Sequence, residues 1–335
     1  MMPDKERYVI GIDTSNYTTS VAVTDRNGTV IRDERRMLSV RPGERGLRQQ
    51  EALFQHIDNV PDLMEKALKD IDRNNICLAA CSESPRPVEG SYMPVFKAGI
   101  NAARNLAAAL DIPYKGFSHQ EGHVEAARHC GPLADADQFL CWHLSGGTCE
   151  LLRVICTDGL PSDIEIIGGT KDISFGQLLD RTGVALGFPF PCGKELDRMA
   201  SEASRDEADN AILTKIKCCD NGSFFNVTGT ETQMLRYIEE GGYGADNMIP
   251  REAVYELFSV ISDCLYRATA AASERTGIKD VLFSGGVSSS VTVKKMLDET
   301  LRKNSGDITI HFGEPALSSD NAVGISLLGG KIIWQ

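Results

Sequence analysis

Phe139 to Leu144, Ser145-Gly146-Gly147-Thr148 and Cys149 to Cys156 read as a strand, a tight turn and a second strand. Apolar residues fill both flanks, and the turn carries the glycines and hydroxyls that permit a sharp reversal. Ile164 to Thr170 follows as a third strand. The start of the chain shows the same meander. Tyr8-Val9-Ile10-Gly11-Ile12-Asp13-Thr14 is a buried-strand pattern, Ser20 to Thr24 a second strand, and Thr29 to Glu34 a third after the Asn27-Gly28 turn. Helices and strands then alternate in both halves. The first continues with helical periodicity over Gln50 to Asp70, Pro61 marking an irregularity, then a strand over Ile76 to Cys81 and an alanine-rich helix over Phe96 to Leu110. The second continues with helices over Ser174 to Leu186, Lys194 to Ala203, Arg251 to Arg275, Thr292 to Arg302 and Asn321 to Leu328, and strands over Val281 to Ser284 and Ile308 to Phe312. The architecture is duplicated although the letters are not. The expectation is an α/β chain of two lobes, 1–118 and 119–335, with an inserted helical segment at about 205–250.

Three turns of glycine or hydroxyl residues follow strands: Asp13-Thr14-Ser15-Asn16, Ser145-Gly146-Gly147-Thr148 and Gly285-Gly286-Val287-Ser288. Such turns offer backbone N–H groups to phosphate oxygens, although any one can merely join two strands. Three in two duplicated halves point to a nucleotide held in a cleft between lobes.

Composition narrows the class. The 335 residues are 42% hydrophobic and 24% charged, ordinary globular values, and no apolar run is long enough to span a bilayer. The charged start of the chain shows no secretory signal, and ten cysteines without a Cys-x-x-Cys pair fit reduced thiols. A cytoplasmic protein with no membrane association is expected. The net charge of −12 argues against gripping nucleic acid alone, despite Arg32, Arg35, Arg36, Arg41, Arg45 and Arg48 in one stretch. That stretch reads first as a solvated strand edge and loop.

Ser118-His119-Gln120-Glu121-Gly122-His123 places two histidines four residues apart, on one face of a helix. They can share a metal ion or stand as two hydrogen-bonded surface histidines. Glu121, two residues from each, lies on roughly the opposite side, unlike the general base of zinc proteases.

Taken together, these stretches resemble the actin/Hsp70/hexokinase-like (ASKHA) nucleotide-binding fold and, more closely, the TsaD/Gcp family. Gly11-Ile12-Asp13-Thr14-Ser15, His119 to His123, Leu144-Ser145-Gly146-Gly147, Asp180-Arg181-Thr182 with Gly187, Pro191 and Gly193, Ser284 to Ser288, and Ser319-Asp320-Asn321-Ala322 match the family's motifs in order. Members transfer a threonylcarbamoyl group from an ATP-derived adenylate to the adenosine beside the anticodon of tRNA. The resemblance implies one divalent metal, iron or zinc, on His119, His123 and Asp320. It implies ATP or threonylcarbamoyl-adenylate against Leu144, Ser145, Gly146, Gly147, Thr148, Asp180, Gly193, Gly285, Gly286 and Ser290. It also implies tRNA met through a multi-subunit complex, with a protein partner or a homodimer.

The chain departs from the pattern at several positions. Tyr17 and Thr18 stand where the family has an acidic pair facing the phosphates, so no catalytic residue is assigned. Thr148 replaces a His, Ser290 an Asn, Arg181 a Lys and Glu231 a Lys. A divergent paralogue is expected: a metal-dependent acyl or carbamoyl transferase acting on tRNA or on another nucleophile. The competing reading is a non-catalytic nucleotide-binding partner that regulates a true family enzyme. A metalloprotease fails on the position of Glu121.

Overall fold

The opening run Tyr8–Asp13 forms β1, every residue buried: a strand covered on both faces reads as a nearly continuous apolar run, with Asp13 at its end the exception. The computed structural model describes residues 6–15, 17–40, 47–203, 211–304 and 307–334. Asn16, Arg41, Arg45 and 205–210 of the expected insertion lie outside the described residues. After β1 come β2 (Thr18–Asp25), β3 (Val30–Met37), α1 (Gln49–Ala67), β4 (Ile76–Ser84), α2 (Phe96–Leu110), β5 (Tyr114–Ser118) and α3 (His119–Arg128). The chain continues with β6 (Gln138–Leu144), β7 (Cys149–Thr157), β8 (Leu160–Thr170), α4 (Phe175–Ala185), α5 (Gly193–Ser201), β9 (Cys218–Cys219), β10 (Phe224–Phe225) and α6 (Thr228–Gly241). It closes with α7 (Arg251–Thr276), β11 (Asp280–Ser284), α8 (Val291–Asn304), β12 (Thr309–Phe312) and α9 (Val323–Ile333).

The two sheets have orders β3-β2-β1-β4-β5 and β12-β11-β6-β7-β8-β10-β9. Read outward from β1, the first runs antiparallel through β2 to β3 and parallel through β4 to β5. Read outward from β6, the second runs antiparallel to β7 and parallel through β11 to β12. The expected duplication is therefore present, strand for strand, with β10 and β9 added beyond β8. Pro61 sits inside α1 without ending it.

The chain divides into two compact units: residues 1–135 with 156–161 and 319–335, and 136–155 with 162–318. The expected boundary at 118/119 is displaced. Helix α3 packs on α9, β4 and β5, so the first unit keeps the chain to 135 and takes back the C-terminal helix. The expected insertion is also more integrated than a separate segment. β10 pairs in parallel with β8, and Met234 and Ile238 of α6 enter the large core of the second unit.

Each unit has its own core. In the first, Ile10, Ile12, Val21 and Val23 meet Leu63 and Ala67 of α1 and Ala103 and Ala107 of α2. In the second, Trp142, Phe225, Phe283 and the buried side of α7 pack together, and Trp142 Nε1 donates to Thr269 Oγ1 at 2.8 Å. That bond removes the cost of burying an indole N–H. All ten cysteines are free thiols, and no described helix is long and apolar enough to cross a membrane.

Candidate metal centre and nucleotide turns

Ser118 starts α3 with a capping box: Ser118 Oγ accepts from Glu121 N–H at 3.2 Å, and Glu121 Oε2 accepts from Ser118 N–H at 2.6 Å. Glu121 is thereby committed to the helix start, which removes it as a general base. His119 and His123 occupy the first turns of the same helix.

Their third partner arrives from 197 residues away. Helix α9 crosses α3 so closely that a Cβ on Gly324 would lie 1.8 Å from the Gly122 carbonyl oxygen, and one on Gly122 would lie 2.8 Å from Ile325. Glycine at 324 is what this approach requires, because the clash there is with backbone, whereas at 122 it is with the end of the Ile325 side chain. Asn321 Oδ1 accepts from Val323 N–H at 3.0 Å and shapes the entry to α9, leaving Asp320 beside the histidines. Asp320 Oδ1 lies 3.2 Å from His123 Nε2 and 3.7 Å from His119 Nε2. The three ligand atoms all fall within 4.8 Å of one another.

A fourth residue stands behind them. Asp13, at the end of β1, is fully buried, and its Oδ1 lies 3.1 Å from His119 Nδ1. Ser15 donates to it at 2.7 Å and Ser82 at 2.5 Å. Burial alone would raise the Asp13 carboxyl; the His119 imidazole and the Ser82 hydroxyl outweigh it and hold the carboxyl below its usual range. Burial would likewise lower His119, but Asp13 and Asp320 prevail and raise it. The pocket thus attracts positive charge. A His whose Nδ1–H is given to a buried carboxylate presents Nε2 as a lone-pair donor, the usual support of a metal-bound imidazole. Two imidazoles and one carboxylate, so supported, fit an iron or zinc ion.

The expected nucleotide residues lie in the second unit. Ser145 N–H donates to Thr148 O at 2.8 Å and Thr148 N–H to Ser145 Oγ at 3.0 Å, closing the turn after Leu144. Gly146 and Gly147 face open space where a Cβ would stand. Ser174, the N-cap of α4, donates to Gly146 O at 2.7 Å and so holds the start of that helix against the turn. Because β11 pairs in parallel with β6, with Ser284 opposite His143, the Gly285-Gly286 turn comes to the same sheet end. Gly285 has φ +91° and lies on the Leu144 backbone, whereas Gly286 is open.

Asp180 lies beside the start of α5, where Gly193 is the first residue. Asp180 Oδ1 accepts from Cys192 N–H at 2.8 Å, next to the start of α5, and burial raises its carboxyl. Ser290 is a helix cap: its hydroxyl donates to Asp197 at 2.7 Å and accepts from Val293 N–H at 3.1 Å. Asp197, which reads in the sequence as a solvated helix charge, also accepts from Val291 and Thr292 N–H. Asp172 is likewise more than a helix-start charge. It accepts from Val227 and Thr228 N–H and so caps α6 from outside.

Of the departures, Thr18 is buried in β2, Tyr17 is exposed, and neither offers a carboxylate. The charge reversal at Glu231 is compensated, because Arg181 Nη1 meets Glu231 Oε1 at 2.8 Å. Arg35 is engaged by Asp33 and Ser319, and Arg36 by Asn59 and Asp62, which moderates the basic stretch. Asp13, Gly122 and Gly324 are contributors that periodicity alone does not single out. A buried carboxylate after a strand and glycines within helix patterns were the available signals.

The family model for TsaD, tRNA N6-adenosine threonylcarbamoyltransferase, matches residues 37–327. The tRNA N6-adenosine threonylcarbamoyltransferase of Bacillus subtilis (strain 168) is 26% identical over 98% of this chain and 91% of its own length. That of Methanopyrus kandleri is 26% identical over 96% and 86%. Among solved structures, component A of the (R)-2-hydroxyglutaryl-CoA dehydratase of Acidaminococcus fermentans superposes with a TM-score of 0.56 at 14% identity, covering 97% of this chain and 99% of that one. Full-length HypF gives a TM-score of 0.57 at 12% identity, over 98% of this chain and 47% of its own. These structural likenesses establish the actin/Hsp70/hexokinase-like fold. With the family model spanning most of the sequence, the chain belongs to the TsaD family of transferases.

Proposed function

We propose that the chain is a metal-dependent, nucleotide-binding transferase that moves a threonylcarbamoyl group from its adenylate to an adenosine of tRNA. The observation that carries this reading is the convergence of His119, His123 and Asp320 within 4.8 Å, with buried Asp13 behind His119. These three side chains hold the ion, and Asp13 fixes the His119 tautomer. When bound, the ion supplies Lewis acidity toward a phosphate or acyl oxygen of the adenylate. The Gly146, Gly147 and Gly286 backbones give the phosphate and adenosine close approach. In the transfer, the acceptor amine bonds to the carbamoyl carbon, the bond from that carbon to the phosphate oxygen breaks, AMP leaves and the amine loses a proton.

With a net charge of −12, the chain does not bind tRNA tightly alone, and a partner subunit supplies part of the basic surface. A second reading, a different acceptor or a regulatory nucleotide-binding role, draws on Tyr17 and Thr18 in place of the acidic pair. The test is complementation of a strain lacking its threonylcarbamoyl transferase, with the tRNA nucleoside read by mass spectrometry. Restored modification supports the transferase. No modification, even with the partner subunits supplied, overturns the tRNA reading.

A further inference from the structure

The basic stretch of the sequence divides at β3. Successive residues of a strand face opposite sides of the sheet, so Arg35 and Arg36 point apart. Arg36 turns to α1, where its Nη1 donates to Asn59 Oδ1 and Asp62 Oδ2, both at 3.0 Å. Arg35 turns to the face that α9 covers. Its partner across the ladder is Ser20, and Ser20 in turn stands opposite Asp13. Ile12 lies opposite Cys81, so Ser82 comes next in β4, beside Asp13, to which it donates. Ser82, Asp13, Ser20 and Arg35 thus form one polar row across four strands. The row lies on the side of α9: a Cβ on Gly11, two residues before Asp13, would stand 2.6 Å from Ala322 O. In the middle of the row Asp13 holds His119. At its end Arg35 reaches the segment that bears Asp320, with Nη1 donating to Ser319 Oγ at 2.9 Å. The guanidinium is fixed in that direction. Asp33, two residues earlier on the same face, accepts from Nε at 2.8 Å and from Nη2 as well, a two-point fork.

We propose that Arg35 is a positioning residue of the metal centre: oriented by Asp33, it holds Ser319 and so keeps Asp320 turned toward the two histidines. The proposal rests on the reading of His119, His123 and Asp320 as metal ligands. A ligand carried on a turn is placed only as well as the turn, and a metal site tolerates errors of only about 0.5 Å. Two devices fix this one. Asn321 works from within: its Nδ2 donates to Ser319 O at 2.7 Å, and its Oδ1 accepts from Val323 N–H. Arg35 works from outside, tying the residue before Asp320 to a strand of the sheet that also supplies Asp13. Arg35 and Asp33 are only 21% and 24% exposed, so the fork is partly shielded from water. The Asp33 carboxylate also balances the guanidinium, and the fork brings no net repulsion to a cation nearby. A lysine could supply the charge here but not the fork together with a third bond to Ser319.

The test measures the zinc affinity of the full-length protein by competition with a chelator and, in the metal-free protein, amide exchange by mass spectrometry. Arg35→Gln and Ser319→Ala should each weaken zinc binding by about tenfold, the low end for groups that support a ligand. The double variant should bind no more weakly than the poorer single variant, because both changes remove the same hydrogen bond. Arg36→Gln removes the same charge from the opposite face and should bind zinc like wild type. Without metal, Arg35→Gln should speed exchange in the peptide spanning residues 318–323, and Arg36→Gln should not. Wild-type zinc affinity in either single variant, additive losses in the double variant, an equal loss in Arg36→Gln, or unchanged exchange at 318–323 in Arg35→Gln overturns the proposal. A wild-type protein that binds no zinc would refute the ligand set itself, while the exchange comparison would still decide whether Arg35 holds the Asp320 turn.

Discussion

His123 and Asp320 meet across 197 residues of sequence, whereas Ser145 and Thr148 close their turn across three. The first contact exists only because α3 and α9 approach to glycine distance; the second is written into its own few residues. The metal centre is accordingly a product of long-range packing, and its chemistry lies in side chains. The nucleotide turns are local, and their chemistry lies in the backbone. Damage should therefore propagate differently: a packing change at the helix crossing, touching no ligand side chain, should empty the metal centre, while a turn can lose its ligand and leave the fold alone.

The sharpest contrast is between Gly324→Ala and Gly146→Ala. The Gly324 methyl would lie 1.8 Å from the Gly122 carbonyl oxygen, so α3 and α9 must part. A loss of about 1–3 kcal/mol or more is expected from overpacking, together with loss of the metal. Gly146→Ala meets nothing within 4 Å, so its stability should stay within about 0.5 kcal/mol of wild type while nucleotide affinity drops. Urea denaturation with metal and nucleotide titrations separates the two. Equal destabilisation by both variants would break the distinction.

Asp13→Asn sharpens it from another side. The variant keeps the size of the buried side chain but cannot act as a carboxylate toward His119 Nδ1. Metal affinity should fall about 10–100-fold, read by competition with a chelator, and nucleotide affinity of the metal-free protein should stay unchanged. A metal affinity equal to wild type would assign Asp13 a purely structural role.

Asp172 gives the smallest effect. Burial opposes ionisation, but N–H donation from Val227, Thr228 and Ile173 holds its carboxyl at about 2, below the ordinary 3.8. A depressed carboxyl stabilises the fold above its unfolded pKa and loses that contribution as pH falls toward the folded one. The stabilisation should therefore be present above about pH 4 and disappear toward pH 2. Asp172→Ala should cost about 1 kcal/mol at pH 7, as for a lost helix cap, and flatten the acid limb of the stability curve between those limits. An acid limb like that of wild type would show that Asp172 does not carry the effect.

The same difference explains what the sequence revealed. Alternation and apolar runs located β1, β6, β7 and β11, and the helical period bounded α2 at Phe96–Leu110, where the structure has it. The two meanders announced the duplication. Tyr114–Ser118 escaped notice because β5 is an edge strand with a glycine and a lysine among its five residues. β9 and β10 are two residues each, too short for any periodicity. At the metal centre the His119/His123 spacing was visible, but Asp320 came from resemblance rather than pattern. Nothing local distinguishes it from another turn aspartate until α9 is packed on α3. Asp197 and Asp172 are not marked as caps in the sequence for a related reason: each caps a helix distant in sequence, and the acceptor alone carries no sign of its donor.

The central claim is a single ion held by two imidazoles and one carboxylate. X-ray absorption at the metal edge, on full-length protein loaded with one equivalent of zinc or iron, tests it directly. The account predicts a first shell of nitrogen and oxygen at about 2.0–2.2 Å with two imidazole scatterers, lost in His123→Ala and Asp320→Ala. A sulfur shell at about 2.3 Å, or an unchanged spectrum in those variants, would place the ion on other residues and contradict it.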